Sequence, residues 1–326
     1  MIVDVRCRLA AASDGSYLSS RNSAKSHPAG LSEEAFFRHL DRAGVRTAVS
    51  VSGNNDGLDL GAVRLPPRRT SNDEQARLEA VHPGRFLGVA GIDVGGALHD
   101  PLAELERCAG ELAMPRVGIE PGRAPFGAEN PADRRLHPFY ERAEALGVTV
   151  FLQTSGFYGG RNLDYAHPRW IDRVADDFPE LRLVCGHGCY PFVRELIAVA
   201  VRRRHVYPSP DLYVFAPTRN EWRYAVNKGL IAEQFLFASG YPLGGSLVRT
   251  VDRYLLLGFR PRRLDGVLFR NALAALGLEE DPRFAEPVAA GRRYGFADVV
   301  RAALRLAVGE TVARLGGQRG RRRNGR

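Results

Sequence analysis

Cysteine is scarce in this sequence, and long apolar runs are absent from it. Four cysteines among 326 residues, with no Cys-x-x-Cys pair, are too few and too scattered for a disulfide framework, so we expect reduced thiols. No stretch approaches the roughly 18 consecutive apolar residues of a membrane helix. The first residues also lack the basic start and apolar core of a signal peptide. These absences predict a cytoplasmic protein that does not contact a membrane.

Lysine is also nearly absent, so arginine carries most of the positive charge. The formal net charge is +9, but the last ten residues, GQRGRRRNGR, contain five arginines. Without these five, 41 basic residues face 37 acidic ones, and the rest of the chain is only mildly basic. The tail has no interleaved aromatic residues and no nucleic-acid-binding module accompanies it, so we expect a solvated terminus and no nucleic-acid partner.

The remaining composition is that of a globular protein, with 44% hydrophobic and 25% charged residues. Eight strand-like segments alternate with helix-like segments along the chain. They begin near Val3, Val45, Phe86, Val117, Val148, Leu181, Val206 and Phe235. Strict alternation predicts parallel strands, and eight units is the number that closes a barrel. We therefore predict an α/β fold, a (β/α)8 TIM barrel with a C-terminal helical extension. A doubly wound open sheet is the alternative, but no GxGxxG turn follows the first strand.

The chain continues beyond the eighth unit. We assign residues 1–285 to the barrel, 286–315 to a C-terminal helical extension and 316–326 to a disordered Gly/Arg-rich tail. The stretch FADVVRAALRLAVGETVARL in the extension has the periodicity of an amphipathic helix. We expect it to pack on the barrel or on a second copy of the chain, which would make a homodimer.

In a barrel of this kind the active site lies at the carboxyl ends of the strands, so polar residues there are the candidates. They are Arg6 and Arg8 on the first strand, Gln153 on the fifth, His187 on the sixth, Asp211 on the seventh, and Ser239 with Gly240 on the eighth. Residues two apart on a strand face the same way, so Arg6 and Arg8 point together.

Six sequence blocks carry a resemblance to a known family. They are IVDVRCRL, NDEQARLEAVHPGRFLGVAGID, RRLHPFYERAEALGVTVFLQTSG, FPELRLVCGHG, FLFASGYPLGG and NALAALGL. The chain resembles the amidohydrolase-related proteins that include aminocarboxymuconate-semialdehyde decarboxylase and the resorcylate decarboxylases. The blocks run from residue 2 to about residue 278 in the order that the family shows.

This resemblance implies a metal-dependent barrel. Its ligands are a His-x-His pair on strand one, a histidine on strand five and an aspartate on strand eight, with a strand-six histidine near the metal. Carried onto this sequence, the pair becomes Arg6 and Arg8, the strand-five histidine becomes Gln153, and the aspartate becomes Gly240 in ASGYP. His187, at the strand-six position, is retained.

These replacements lead us to predict neither a metal nor any other cofactor. Guanidinium groups offer no lone pair, glycine has no side chain, and an amide oxygen is a poor zinc ligand. Cys185, His187 and Cys189 alternate along CGHGC and offer another ligand set. The chain leaves the strand at Gly188, however, so we do not expect these three side chains to converge.

The two arginines instead suggest a site for a small anionic molecule. Arginine binds carboxylates bidentately and stabilises developing negative charge, so Arg6 and Arg8 would form an anion clamp. His187 is the candidate general acid or base. Gln153, Arg123, Asp211 and Tyr241 are further substrate-binding candidates. The expected substrate is a small, cyclic or aromatic carboxylate. Decarboxylation or another C–C lyase step, hydrolysis and cyclisation all remain open.

A non-catalytic interpretation stands beside this one. Arg6 and Arg8 could form structural ion pairs with Asp4 or Glu120, and His187 could be a hydrogen-bonded remnant of an older site. The protein would then be a catalytically silent homologue that binds a ligand or a partner. An enclosed pocket with His187 near an arginine favours the enzyme, whereas a pocket plugged by arginine–carboxylate pairs favours the silent homologue.

Overall fold

The computed structural model describes residues 1–9, 31–51, 53–61, 64–95, 97–123, 128, 130–243, 245–285 and 294–323, and of residues 310–323 the backbone alone. Part of the predicted helical extension, residues 286–293, and the last three residues of the predicted tail lie outside this description.

Within these residues, seven parallel strands form one curved sheet. They are β1 Val3–Cys7, β2 Thr47–Val51, β5 Phe86–Ile92, β6 Arg116–Ile119, β7 Thr149–Gln153, β8 Leu183–Gly186 and β9 Val206–Ser209. The strands lie side by side in this order. A short antiparallel pair, β3 Leu58–Asp59 and β4 Arg64–Leu65, lies in the connection between β2 and β5.

The segment 235–241 closes the sheet into a barrel between β9 and β1. Its backbone bonds are Leu236 N to Pro208 O at 3.0 Å, Val5 N to Phe237 O at 3.1 Å, Gly240 N to Arg6 O at 2.8 Å and Arg8 N to Tyr241 O at 2.9 Å. The eighth strand-like segment of the sequence therefore has the predicted place, and the (β/α)8 barrel is confirmed.

Helices follow the strands around the outside of the barrel. They are α1 Glu33–Ala43, α2 Asn72–Val81, α3 Pro101–Gly110, α4 His137–Ala145, α5 Arg169–Asp177, α6 Val193–Arg202, α7 Arg219–Lys228, α8 Leu247–Leu255, α9 Pro261–Asp265, α10 Asn271–Leu276 and α11 Phe296–Arg323. α1 begins after Ser32, whose side chain accepts a hydrogen bond from Ala35 N, and ends at Gly44, where φ is 70°. Among the described helices, none is both long and apolar enough to span a membrane.

Two apolar layers hold these elements together. Alternate strand residues such as Val3, Val49, Val89 and Val184 form one buried cluster inside the barrel. The opposite faces of the strands pack against the helices in a second, larger cluster. The inner cluster fills the barrel from the amino ends of the strands, so the polar residues collect at the carboxyl ends.

The last helix packs on α8. Ala302 is fully buried, and Arg305 Nη2 lies 2.5 Å from Asp252 Oδ1 across the contact. The division of the chain at residues 285 and 315 stays a prediction.

Asp4 links β1 to the segment that closes the barrel. Its carboxylate accepts hydrogen bonds from Ser239 N at 2.9 Å, from Ser239 Oγ at 2.5 Å and from Arg6 N at 3.2 Å. The last of these bonds satisfies a backbone group where the pairing of β1 with β2 shifts register. Complete burial raises the pKa of Asp4 to about 7, although its hydrogen bonds act to lower that pKa.

Replacing this carboxyl should change how stability depends on pH. The folded protein holds the Asp4 proton up to a higher pH than the unfolded chain, so this group's stabilisation is complete below pH 4 and is lost as the pH rises through 7. Asp4→Asn has no carboxyl to ionise, so its stability lacks this dependence on pH. Relative to the variant, the free energy of unfolding of wild type should fall by about 1.4 kcal/mol per pH unit between pH 4 and 7. Urea unfolding at several pH values measures this, and parallel curves for the two proteins would contradict it.

Candidate active site

The guanidinium of Arg6 lies at the centre of the barrel mouth. Its Nη2 is 3.4 Å from Gln153 Oε1 and 3.1 Å from His187 Nε2, and its Nε is 3.3 Å from Asp211 Oδ2. The carboxyl ends of β1, β7, β8 and β9 carry these four residues to one point, as the barrel geometry requires. Four of the residues that the sequence singled out therefore form one cluster.

The backbone of β8 leaves room for this guanidinium. A Cβ atom on Gly186 would lie 2.5 Å from Arg6 Nη1, so a larger residue at this position would collide with the arginine. Arg6 itself is only 5% exposed. The glycine that ends β8 thus allows a long, charged side chain to reach across the barrel.

His187 and Asp211 form a close pair beside Arg6. His187 Nδ1 lies 2.6 Å from Asp211 Oδ2. Both residues have left-handed backbones, with φ of 68° for His187 and 43° for Asp211, a conformation that costs of order 1 kcal/mol or more at each non-glycine residue. Strained residues of this kind cluster at functional sites, which supports a functional role for the pair.

The surroundings of His187 keep its imidazole neutral. Burial lowers the pKa of His187 to about 4; Asp211 opposes the shift, and the positive charge of Arg6 adds to it. Because the guanidinium of Arg6 can only donate, Nε2 carries the lone pair, and in the neutral ring the hydrogen is then on Nδ1. The site therefore presents an imidazole whose Nε2 can accept a proton.

A second buried charge cluster borders the first. Glu120 follows β6 directly and contacts Arg68 Nη1 at 2.5 Å and Arg123 Nη1 at 3.3 Å. Burial acts to raise the pKa of Glu120, but Arg123 and Arg68, with smaller effects of Arg8 and Arg6, outweigh it and lower that pKa to about 2. Arg8 lies between the two clusters, and its Nε donates to Val51 O at 2.6 Å.

Two predicted binding residues point elsewhere. Arg123 donates to the carbonyl of Tyr158 from Nε at 3.0 Å and from Nη2 at 2.7 Å, so it holds the loop after β7. Tyr241 borders the mouth, but its hydroxyl lies 2.5 Å from His39 Nδ1 in the helix layer. Both side chains thus have partners within the protein, and their role in substrate binding stays a prediction.

Sequence reasoning missed the contribution of Arg68. It lies in the connection between β4 and α2, and the motif PPRRT that contains it carries no functional signal. The partner of Arg68 was easier to find, because Glu120 stands at the carboxyl end of a strand.

A small cavity opens above Arg6. Its volume is about 40 Å³, and Arg6, Arg8, His187, Asp211 and Gly240 are among the residues around it. A space of this measure holds water-sized groups, so a small polar group fits against the guanidinium of Arg6.

The donor atoms of the mouth do not fit the metal that the resemblance implies. The positions that it gives to the ligands hold Arg6, Arg8, Gln153 and Gly240, which offer a single amide oxygen between them. In the described part of the chain, no group of three or more His, Cys, Asp or Glu side chains is placed to hold a metal ion. The CGHGC set does not converge either, because Cys185 and Cys189 are buried in the apolar layer between strands and helices.

The fold and the site thus define an α/β barrel with a buried Arg–His–Asp cluster at its mouth. A family model described as Amidohydrolase matches residues 38–278, so the chain belongs to the amidohydrolase family, as the sequence blocks predicted. Among curated proteins none matches this chain.

Solved structures share this fold. An uncharacterised TIM-barrel protein from Bordetella bronchiseptica is 28% identical, with a TM-score of 0.71, over 85% of this chain and 99% of that one. A 2,6-dihydroxybenzoate decarboxylase from Rhizobium is 15% identical, with a TM-score of 0.59, over 86% of this chain and 100% of that one. A 4-oxalomesaconate hydratase from Rhodopseudomonas palustris is 18% identical, with a TM-score of 0.55, over 89% of this chain and 98% of that one.

Removing the charge of Arg6 should raise the pKa of His187. In Arg6→Gln the positive charge that disfavours the imidazolium is gone, so we expect a rise of about one unit. An NMR titration of the His187 ring in wild type and variant measures the shift. Arg38→Gln, which removes an exposed arginine on α1, is the control and should leave the titration unchanged. A His187 pKa that stays near 4 in Arg6→Gln would contradict the assigned electrostatics.

Proposed function

We propose that this protein is a metal-independent enzyme of the amidohydrolase family that acts on a small, cyclic or aromatic carboxylate. Arg6 and Arg8 bind the anion, and His187 acts as the general base. The observation that carries this proposal is the 3.1 Å contact between the neutral imidazole of His187 and the guanidinium of Arg6 at the closed end of the mouth. This contact supports a mechanism in which a proton acceptor and an anion-binding group act at the same point.

The charge of the mouth supports an anionic substrate. Among the described residues there, four guanidiniums, each less than a tenth exposed, face the carboxylates of Glu120 and Asp211. The four are Arg6, Arg8, Arg68 and Arg123. Guanidinium groups bind carboxylates bidentately, so a site rich in them suits an anionic ligand.

The proposed chemistry follows from the protonation of His187. An oxyanion that approaches Arg6 competes for the guanidinium and frees Nε2, which then takes a proton from water or from the substrate. Asp211, against Nδ1, orients the ring and stabilises the imidazolium that forms. Arg6 stabilises the negative charge that develops on the substrate.

This order of events favours some reaction classes over others. Hydrolysis by activated water and cyclisation both begin with proton removal, which a neutral imidazole performs. Decarboxylation ends with a proton delivered to carbon, and His187 can supply one at Nε2 only after it has taken one. The names of a dihydroxybenzoate decarboxylase and an oxalomesaconate hydratase among the solved structures of this fold support a carboxylate substrate.

One observation favours the alternative function, a catalytically silent homologue that binds a ligand or a partner. Arg6 fills the centre of the mouth, is ion-paired with Asp211, and leaves a cavity of about 40 Å³. Both functions use the same anion site, but only the enzyme needs Nε2 of His187.

The protein should carry no active-site metal. We expect elemental analysis of the purified protein to find less than about 0.1 zinc, manganese or iron per chain, because the mouth lacks the three ligands of a catalytic metal site. A chelator should leave the thermal unfolding temperature unchanged. A stoichiometric metal would overturn the metal-independent mechanism.

Replacement of the base should separate binding from turnover. In His187→Gln we expect kcat to fall by about 100-fold to 10,000-fold, because general base catalysis contributes that much, while KM changes little. The measurement is a screen of hydroxybenzoates and related cyclic carboxylates by product analysis, followed by kinetics on the best substrate. His205→Gln, which alters a histidine at the amino end of β9, is the matched control and should keep full activity. Equal kcat in wild type and His187→Gln excludes the base, and ligand binding without turnover of any compound would favour the silent homologue.

A further inference from the structure

Three aromatic rings form a wall beside His187. The rings of Tyr190 and Tyr213 stack with centroids 5.0 Å apart and an interplanar angle of 17°. Phe157 packs against both, at 5.5 Å from Tyr190 and 5.8 Å from Tyr213. The ring of Tyr213 meets that of His187 at 5.3 Å and a right angle. We call Phe157, Tyr190 and Tyr213 the aromatic wall.

The aromatic wall belongs to the active-site end of the barrel and is firmly held. Its residues come from the connections after β7, β8 and β9, which all leave the carboxyl ends of the strands. The hydroxyl of Tyr213 lies 3.2 Å from Ser155 Oγ, which also accepts from Phe157 N at 3.2 Å. Gly156 N donates to Tyr190 O at 2.8 Å and ties the first connection to the second. The wall is therefore a preformed surface.

Phe157 is exposed in a way that core packing does not explain. Half of its surface, 51%, remains open to solvent, although the connection that carries it is fixed by hydrogen bonds. A large aromatic side chain kept exposed next to a cluster of catalytic character is a typical recognition feature. The mechanism proposed above makes no use of it.

The contact between His187 and Tyr213 places the rest of the substrate. Arg6 Nη2 lies 3.1 Å from His187 Nε2, and the ring of Tyr213 meets that of His187 at 5.3 Å. A ring carried by a carboxylate at Arg6 is therefore within reach of Tyr213. A flat ring gains most from an aromatic face or edge, whereas a puckered ring makes fewer contacts there.

We propose that the aromatic wall is the specificity surface of the enzyme, where Phe157 and Tyr213 receive the planar ring of a carboxylate whose charged group is bound at Arg6. This inference rests on the proposed function. It assigns the preference for planar over puckered cyclic carboxylates of equal charge to Phe157.

Isothermal titration calorimetry with benzoate and cyclohexanecarboxylate tests this inference, because the two probes share their charge and ring size and differ in planarity. Wild type should bind benzoate about fivefold tighter, as one or two aromatic contacts would give. Phe157→Ala should bring the ratio of the two affinities close to one. Phe157→Leu should do the same, because it keeps apolar area but no aromatic face.

Leu163→Ala is the matched control, since Leu163 is 53% exposed in the same connection but has no ring in the wall. It should keep the preference for benzoate. Because Phe157 is exposed, we expect the variants to fold, and their thermal unfolding temperatures check this. Benzoate binding without preference in wild type, or a preference kept in Phe157→Ala, overturns the inference and leaves the proposed function standing. Failure of wild type to bind either probe at millimolar concentration overturns both.

Discussion

The guanidinium of Arg6 is the fixed charge around which the barrel mouth is arranged. It crosses from β1 to contact Gln153 on β7, His187 after β8 and Asp211 after β9. Each of these partners offers an acceptor atom: an amide oxygen, a ring nitrogen with its lone pair, and a carboxylate oxygen. A group that can only donate hydrogen bonds therefore determines the tautomer of the imidazole and the orientation of the amide.

A metal ion at the same place would impose a different chemistry on its neighbours. It would bind lone pairs directly and would bring a substrate oxygen into its own coordination shell. A guanidinium binds an oxyanion through hydrogen bonds and keeps a neighbouring imidazole neutral without using its lone pair for coordination. In this barrel the lone pair of His187 Nε2 is thus held by a hydrogen bond, which an incoming anion can replace. In the proposed mechanism, this exchange of hydrogen bonds frees His187 to act as a base without a bound metal.

The sequence predicted the parts of the site that strands position, and it did so through one geometric rule. Arg6, Gln153 and His187 end strands or follow them directly, and parallel strands of a closed barrel end at one face. The sequence did not predict the direction of every side chain. The hydroxyl of Tyr241 turns to the helix layer, and Arg123 turns to the carbonyl of Tyr158. Such choices depend on local packing and on the left-handed backbones of single residues, which no periodic pattern encodes.

Sequence reasoning missed the site residues in long connections for a different physical reason. Arg68 and Phe157 are placed by hydrogen bonds and ion pairs that join distant parts of the chain, and neither stands in a recognisable motif. Loop positions carry specificity because they vary while the strands keep their geometry. In the proposed mechanism the barrel therefore separates two tasks. Strand ends hold the charged group of a ligand at a fixed point, and the aromatic wall selects the ring that lies against it.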